Sequence, residues 1–284
     1  MSMQRQFKAV QRLLRSPLTR FPKNKTNMEL MSVTNCGITI GREVVFSHTD
    51  KQTLRRYIIE QCQADPQRDT LDGDRIDVAK ITPHEKIRGK AVFGSLILVH
   101  GLQDHPIYMT SGSGHTPPGS VLAVDMETIE WDSWKESTIV IVENGTLMHK
   151  LNLMKLPAEW GRALCVYRGH GENARSVNDL IDRHPSDKLA FFMDFDLPGI
   201  AMATGYRRGS VIVPKNWQDL YESSALNTMG KYYSQQESRA KIYREEDGSE
   251  IDSIVEHIDR QHLCVSQESL IAHDVELKAI RNRL

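Results

Sequence analysis

The sequence predicts an α/β protein: a mainly parallel sheet flanked by helices in the C-terminal half, behind a mixed α/β N-terminal region. Three runs carry that prediction. Thr138-Ile-Val-Ile-Val-Glu143-Asn-Gly145 is apolar until it ends in an acid. Arg162-Ala-Leu-Cys-Val-Tyr-Arg168 opens into Gly169-His-Gly-Glu-Asn173. Leu189-Ala-Phe-Phe-Met-Asp194-Phe-Asp196-Leu-Pro-Gly199 carries two acids two residues apart. Short β-branched and aromatic runs bounded by Gly, Asn and Pro read as buried parallel strands, and the segments between them have helical spacing.

The remaining elements follow in chain order. Residues 3–15 place Phe7, Val10, Leu13 and Leu14 on one helical face. Pro17 to Asn27 reads as a polar linker. Ile38 to Phe46 alternates and turns at Gly41-Arg42, which predicts a small hairpin. Thr49-Asp50 can cap a helix to about Gln63, with Leu54, Tyr57, Ile58 and Cys62 facing inward. An acid-rich loop (Asp65 to Asp74), a turn or short helix (Ile81 to Gly89) and a strand (Ala91 to His100) come next. A loop (Ser111 to Gly119) and a strand (Ser120 to Val124) follow, and Met126 to Glu136 leads into the central sheet. This organisation predicts an N-terminal region over 1–135, a candidate for DNA or partner binding, and a sheet domain with a helical tail over 136–284. Beyond Val213-Pro214 the polar tail reads as helical at Trp217 to Ser224, Gly230 to Tyr243, Ile251 to Arg260 and Val265 to Arg283. Leu270, Ile271, Val275, Leu277 and Ile280 form a packing stripe on the last of these.

Composition narrows the class. With 39% hydrophobic and 26% charged residues over 284 positions, the chain has the make-up of an ordinary soluble protein. No run approaches the ~18 apolar residues of a membrane span. The N-terminus is basic and amphipathic without the apolar core of a secretory signal, a pattern that mitochondrial presequences share. Cys36, Cys62, Cys165 and Cys264 are scattered without metal-type spacing, and the cytoplasm is the expected compartment. A net charge of −1 hides an asymmetry: Arg5, Lys8, Arg12, Arg15, Arg20, Lys23 and Lys25 precede any acid, and can form a phosphate-contacting arm or a solvated helix and linker.

The acids carry the chemistry. In an open α/β sheet, ligands gather beyond the carboxyl ends of the strands, where Glu143, Asp194 and Asp196 are expected. A single acid there is often a cap or an ion-pair partner. Three acids on one rim repel unless a cation lies between them, and a hard divalent ion such as Mg²⁺ or Mn²⁺ suits oxygen ligands. Such an ion would polarise a phosphodiester, with Glu143 or Glu268 taking a proton from the attacking water; the sequence does not choose between the two. The Gly169-His-Gly-Glu-Asn173 segment opens a helix, so its amides can meet a phosphate with His170 or Arg175 assisting, although a simple Gly-rich turn has the same sequence. Arg207, Arg208 and Lys215 can track a nucleic-acid backbone or serve as ordinary surface charge. His100 and His105 fit no common metal spacing, and Ser111-Gly-Ser-Gly lacks the ending of a P-loop.

The order of glutamate, strand and Asp-x-Asp resembles the Toprim domain of topoisomerases, primases and nucleases. Asp194-Phe-Asp196-Leu-Pro-Gly199 is similar to the D-x-D-x-x-G signature of the topoisomerase VI A subunit and of the Wadjet anti-plasmid nuclease family (JetD, also called MksG). Val142-Glu143-Asn144 resembles the V-E-N of that nuclease family, and Ser266-Gln267-Glu268-Ser-Leu270 its closing Q-E motif, with Glu268 a further acid. The likeness spans about residues 138–275. It implies a Mg²⁺- or Mn²⁺-dependent DNA endonuclease, with Glu143, Asp194 and Asp196 as ligands, acting in plasmid or phage defence beside an SMC-type, condensin-like complex. A double-strand cut needs two active sites, which favours a homodimer. Two alternatives remain: a topoisomerase-like strand-transferase, whose nearest candidate nucleophile is Tyr57, and a non-catalytic DNA-binding subunit. The N-terminal half is short for a Wadjet-type nuclease and does not match its DNA-binding arms.

Overall fold

The computed structural model describes residues 3–71, 78–83, 96–171, 173–228, 230–242 and 249–282. It divides into two compact units, Met1–Val92 and Phe93–Leu284. The first holds α1 (Met3–Arg15), β1 (Arg20–Pro22), α2 (Lys25–Thr34), β2 (Ile38–Ile40), β3 (Glu43–Val45) and α3 (His48–Cys62). Its antiparallel sheet runs β1-β3-β2, and its core is built on Phe7, Val10, Leu30, Phe46, Leu54 and Ile58. The expected hairpin is present, with Ile40 paired to Glu43 across the Gly41-Arg42 turn. The stretch expected to be a linker carries β1 and the start of α2, which Asn24 caps by accepting from the Asn27 amide.

The second unit contains β4 (Leu96–Gly101), β5 (Ile107–Met109), β6 (Gly112–Gly114), β7 (Leu122–Asp125), α4 (Trp131–Glu136), β8 (Ile139–Val142) and β9 (Leu164–Tyr167). These are followed by α5 (Asn173–Arg183), β10 (Leu189–Phe192), α6 (Leu197–Gly205), β11 (Ser210–Pro214), α7 (Glu250–Gln261), α8 (Gln267–Ala272) and β12 (Leu277–Arg281). One seven-stranded mixed sheet runs β12-β11-β10-β8-β9-β4-β7. Its four central strands, β9, β8, β10 and β11, are parallel. Strands β12, β4 and β7 extend it antiparallel on either side. Every residue of β8 and β10 is buried, as the continuous apolar runs predict.

Three expectations change. The units divide at residues 92 and 93 rather than near 135, because β4 and β7 hydrogen-bond into the large sheet. The final segment is not one helix. Asp274 adopts a left-handed φ of 57° after the short α8, and Leu277–Arg281 then pairs with the open edge of β11. Ser111 to Gly119 is not wholly a loop either, since Gly112–Gly114 pairs with β5. The expected turn at Ile81 to Gly89 and the start of the strand from Ala91 lie largely outside the described residues.

Candidate active site

The parallel strands order themselves second, first, third, fourth, so successive connections leave the sheet in opposite directions between β8 and β10. Open α/β sheets bind ligands at such a switch point, beyond the carboxyl ends of the strands. The register places Val142, Tyr167 and Phe192 in one row across β8, β9 and β10. The residues after them, Glu143, Arg168 and Asp194, form the rim. An open cleft of about 370 Å³ lies there, lined by Glu143, Asn144, Tyr167, Arg168, His170 and Asp194 together with Gly145 and Thr146.

Each acid is held by backbone or side-chain donors. The Asp194 amide donates to Glu143 Oε2 at 3.1 Å, tying the two rim acids together. Asp194 Oδ1 accepts from the Gln267 amide at 2.8 Å. Burial pushes the Asp194 carboxyl up to about 6, against the pull of the Gln267 amide and with added repulsion from Glu143, Asp196 and Glu268. The three other acids are therefore close enough to act on Asp194, and none of the ion pairs among the described residues involves Glu143, Asp194 or Glu268.

Asp196 is placed differently from its partner in the Asp-x-Asp pair. It is 3% exposed and caps α6, accepting from the Gly199 amide at 2.8 Å. Its other oxygen accepts from Gln235 Nε2 at 2.9 Å and from the Cys264 thiol at 3.4 Å. Burial, followed by the Asp196 charge, pushes that thiol up to about 12. Gly199 has its own reason to be glycine. An added Cβ would stand 2.0 Å from the Asp194 carbonyl oxygen, so only a bare backbone lets α6 approach the acid so closely.

Gln267 is the clasp of the site. It is fully buried, its Oε1 accepts from the Asn144 amide at 2.9 Å, and its Nε2 donates to the Phe192 carbonyl at 2.7 Å. With its own amide on Asp194, one residue joins the ends of β8 and β10 to α8. Glu268 beside it accepts from Asn144 Nδ2. The backbone of Phe195 exchanges two hydrogen bonds with Val265, so the segment before α8 is zipped to the Asp-x-Asp loop.

Opposite the acids lies a cationic and aromatic wall. The Arg168 amide donates to the Val142 carbonyl at 2.9 Å, while its side-chain Nε is buried without a hydrogen-bond partner among the described residues. His170 Nδ1 is hydrogen-bonded to the Tyr167 hydroxyl, and the rings stack at 5.6 Å. Gly169 and Gly171 take left-handed φ angles of 80° and 60°, which turn the chain between β9 and α5. Gly169, His170 and the exposed Arg175 thus fall where expected, on the turn and the first residues of the helix after β9. Arg207 and Arg208 do not join them. They precede β11, at the end of the sheet away from the acids, and Arg208 donates to the carbonyls of Asp182 and His184.

The sequence reading missed Arg168, Tyr167 and the clasp role of Gln267. Arg168 follows the run of β9 just as Glu143 follows that of β8, so the strand-end rule applied to every residue type would have found it. Gln235 and Cys264 lie 39 and 68 residues from Asp196 and carry no sequence signal. As the side chains stand, no group of three or more His, Cys, Asp or Glu among the described residues could hold a metal ion. The donors are nonetheless hard oxygens, and the Asp194 pKa is raised first by burial and then by the neighbouring acids, a crowding of negative charge that a divalent cation would relieve.

Fold and site together define an α/β protein with an acid-rimmed cleft at the switch point of a mixed sheet. The chain belongs to the family described as Domain of unknown function (DUF7281), whose model matches residues 94–279. That span contains all four acids, the clasp and the cationic wall. No curated protein matches the sequence.

Proposed function

We propose that the sheet unit is a Toprim-type domain and that the protein is a divalent-cation-dependent endodeoxyribonuclease. One observation carries the reading: Glu143 and Asp194 converge at the switch point, with Asp196 and Glu268 close enough to raise the Asp194 pKa. Glu143 and Asp194 would hold Mg²⁺ or Mn²⁺, and Asp196 can join only by loosening its cap on α6. When bound, the cation supplies charge compensation to the scissile phosphodiester. Arg168, which lines the cleft, receives the phosphate, and His170 and the glycine turn lie beside it. Glu143 is committed to the cation and to the Asp194 amide, so Glu268 takes the proton of the attacking water. By the resemblance of its motifs to the Wadjet nucleases, the protein acts in plasmid or phage defence, as a homodimer beside an SMC-type complex.

A second reading is a nucleic-acid-binding subunit without catalysis, favoured by the lack of a ready-made cage among the described side chains. A strand-transferase draws less support, because Tyr57 packs half-buried against the core of its own unit. End-labelled duplex DNA incubated with Mg²⁺ or Mn²⁺ separates the three. Hydrolysis yields free ends and no covalent adduct, unchanged in Tyr57→Phe. A protein–DNA adduct that Tyr57→Phe abolishes would establish the strand-transferase, and metal-indifferent binding without cleavage the subunit.

A further inference from the structure

The first helix carries four cations, Arg5, Lys8, Arg12 and Arg15, at intervals of three, four and three residues. At ~3.6 residues per turn these intervals stack the side chains on one face, a stripe about 15 Å long. All four residues are exposed. Phe7, Val10 and Leu13 on the other face are 0%, 0% and 3% exposed, sealed in the core of their own unit.

Arg12 and Arg15 lie in the last turn, where cations suit the helix dipole, but Arg5 and Lys8 gain nothing from their place on the helix. Like charges three and four residues apart weaken a helix. The first turn also lacks an acid to complement the helix dipole, and the chain has none before Glu29. Such a surface is complementary to a polyanion.

We propose that this face of α1 binds the sugar–phosphate backbone of double-stranded nucleic acid without reading sequence. A duplex presents one charge per ~1.7 Å of axis, dense enough to engage Arg5, Arg12 and Arg15 together. Single strands are held by stacking on aromatic side chains, and the aromatics of this segment, Phe7 and Phe21, are packed into or against the core. A membrane-surface helix inserts its apolar face, which α1 has already buried. The inference is independent of the acid cleft.

The test is fluorescence anisotropy of the full chain with a short random-sequence duplex, in EDTA, across a salt series. The wild type is expected to show a log–log salt slope of about −3 or steeper, of which Arg5, Arg12 and Arg15 supply ~0.9 each. Arg5→Ala, Arg12→Ala and Arg15→Ala should each reduce its magnitude by about 0.9. Arg5→Glu combined with Arg12→Glu should weaken binding more than tenfold while leaving the melting transition cooperative. Unchanged slopes in folded variants, tighter binding of the matching single strand, or stripe-dependent binding to phosphatidylserine vesicles would each overturn the proposal. Because EDTA removes the cation, a normal slope in a protein that never cuts DNA leaves the stripe standing while the nuclease reading falls.

Discussion

Asp194 sits under two opposing demands. The fold buries it among three other acids, and its carboxyl rises to about 6 as a result. A carboxyl whose folded pKa lies above its unfolded value of 3.8 costs stability progressively as pH climbs from about 4 through 6. Asp194→Asn should therefore melt a few degrees higher than wild type at pH 8 without divalent ions, and the gain should vanish by about pH 4. His184 titrates with the opposite sign over the same window. Burial pushes its pKa down to about 4, so its contribution is lost as pH falls from 6.5 through 4. The difference between variant and wild type isolates Asp194, whereas the raw profile does not. Saturating Mn²⁺ at pH 8 should raise the melting temperature of wild type and leave Asp194→Asn unmoved. Glu143, Asp194 and Asp196 were legible because they follow apolar runs, and Glu268 only through the resemblance of its Gln-Glu pair. What Asp196 does was not, since Gln235 and Cys264 reach it from distant parts of the sequence.

At the scale of elements, the site depends on how closely α6 and α8 approach the strand ends. Gly199→Ala places a Cβ against the Asp194 carbonyl, so the helix must retreat. Overpacking of this kind costs about 1–3 kcal/mol, measurable in a urea melt, and it should also weaken Mn²⁺ binding at Asp194 more than tenfold. Gln267→Leu keeps the bulk of the clasp and deletes its side-chain hydrogen bonds, leaving the Asn144 amide unsatisfied and the Phe192 carbonyl with its bond from the Glu143 amide. The unsatisfied amide costs about 1–3 kcal/mol. Hydrogen exchange at the Asn144 amide should accelerate together with the fall in stability, and an unchanged rate would remove the clasp from the account. The parallel strands were legible from continuous apolar runs. Strand β12 was not, because Leu277 and Ile280 are spaced as a helix would space them, and only the open edge of β11 makes them a strand.

At the scale of the molecule, the sequence shows an α/β chain with its chemistry in the later part, while the boundary between units depends on pairing. Strands β4 and β7 look like parts of an N-terminal region until their hydrogen bonds place them at the end of the large sheet. The family match, beginning at residue 94, falls close to the same division. The most direct measurement is incubation of supercoiled plasmid with the pure protein and Mg²⁺ or Mn²⁺, beside Asp194→Ala. Nicked or linear product that requires both the metal and Asp194 is the expected result. Cleavage that persists in folded Asp194→Ala, or in EDTA, would contradict the assignment of the acid rim as the catalytic centre.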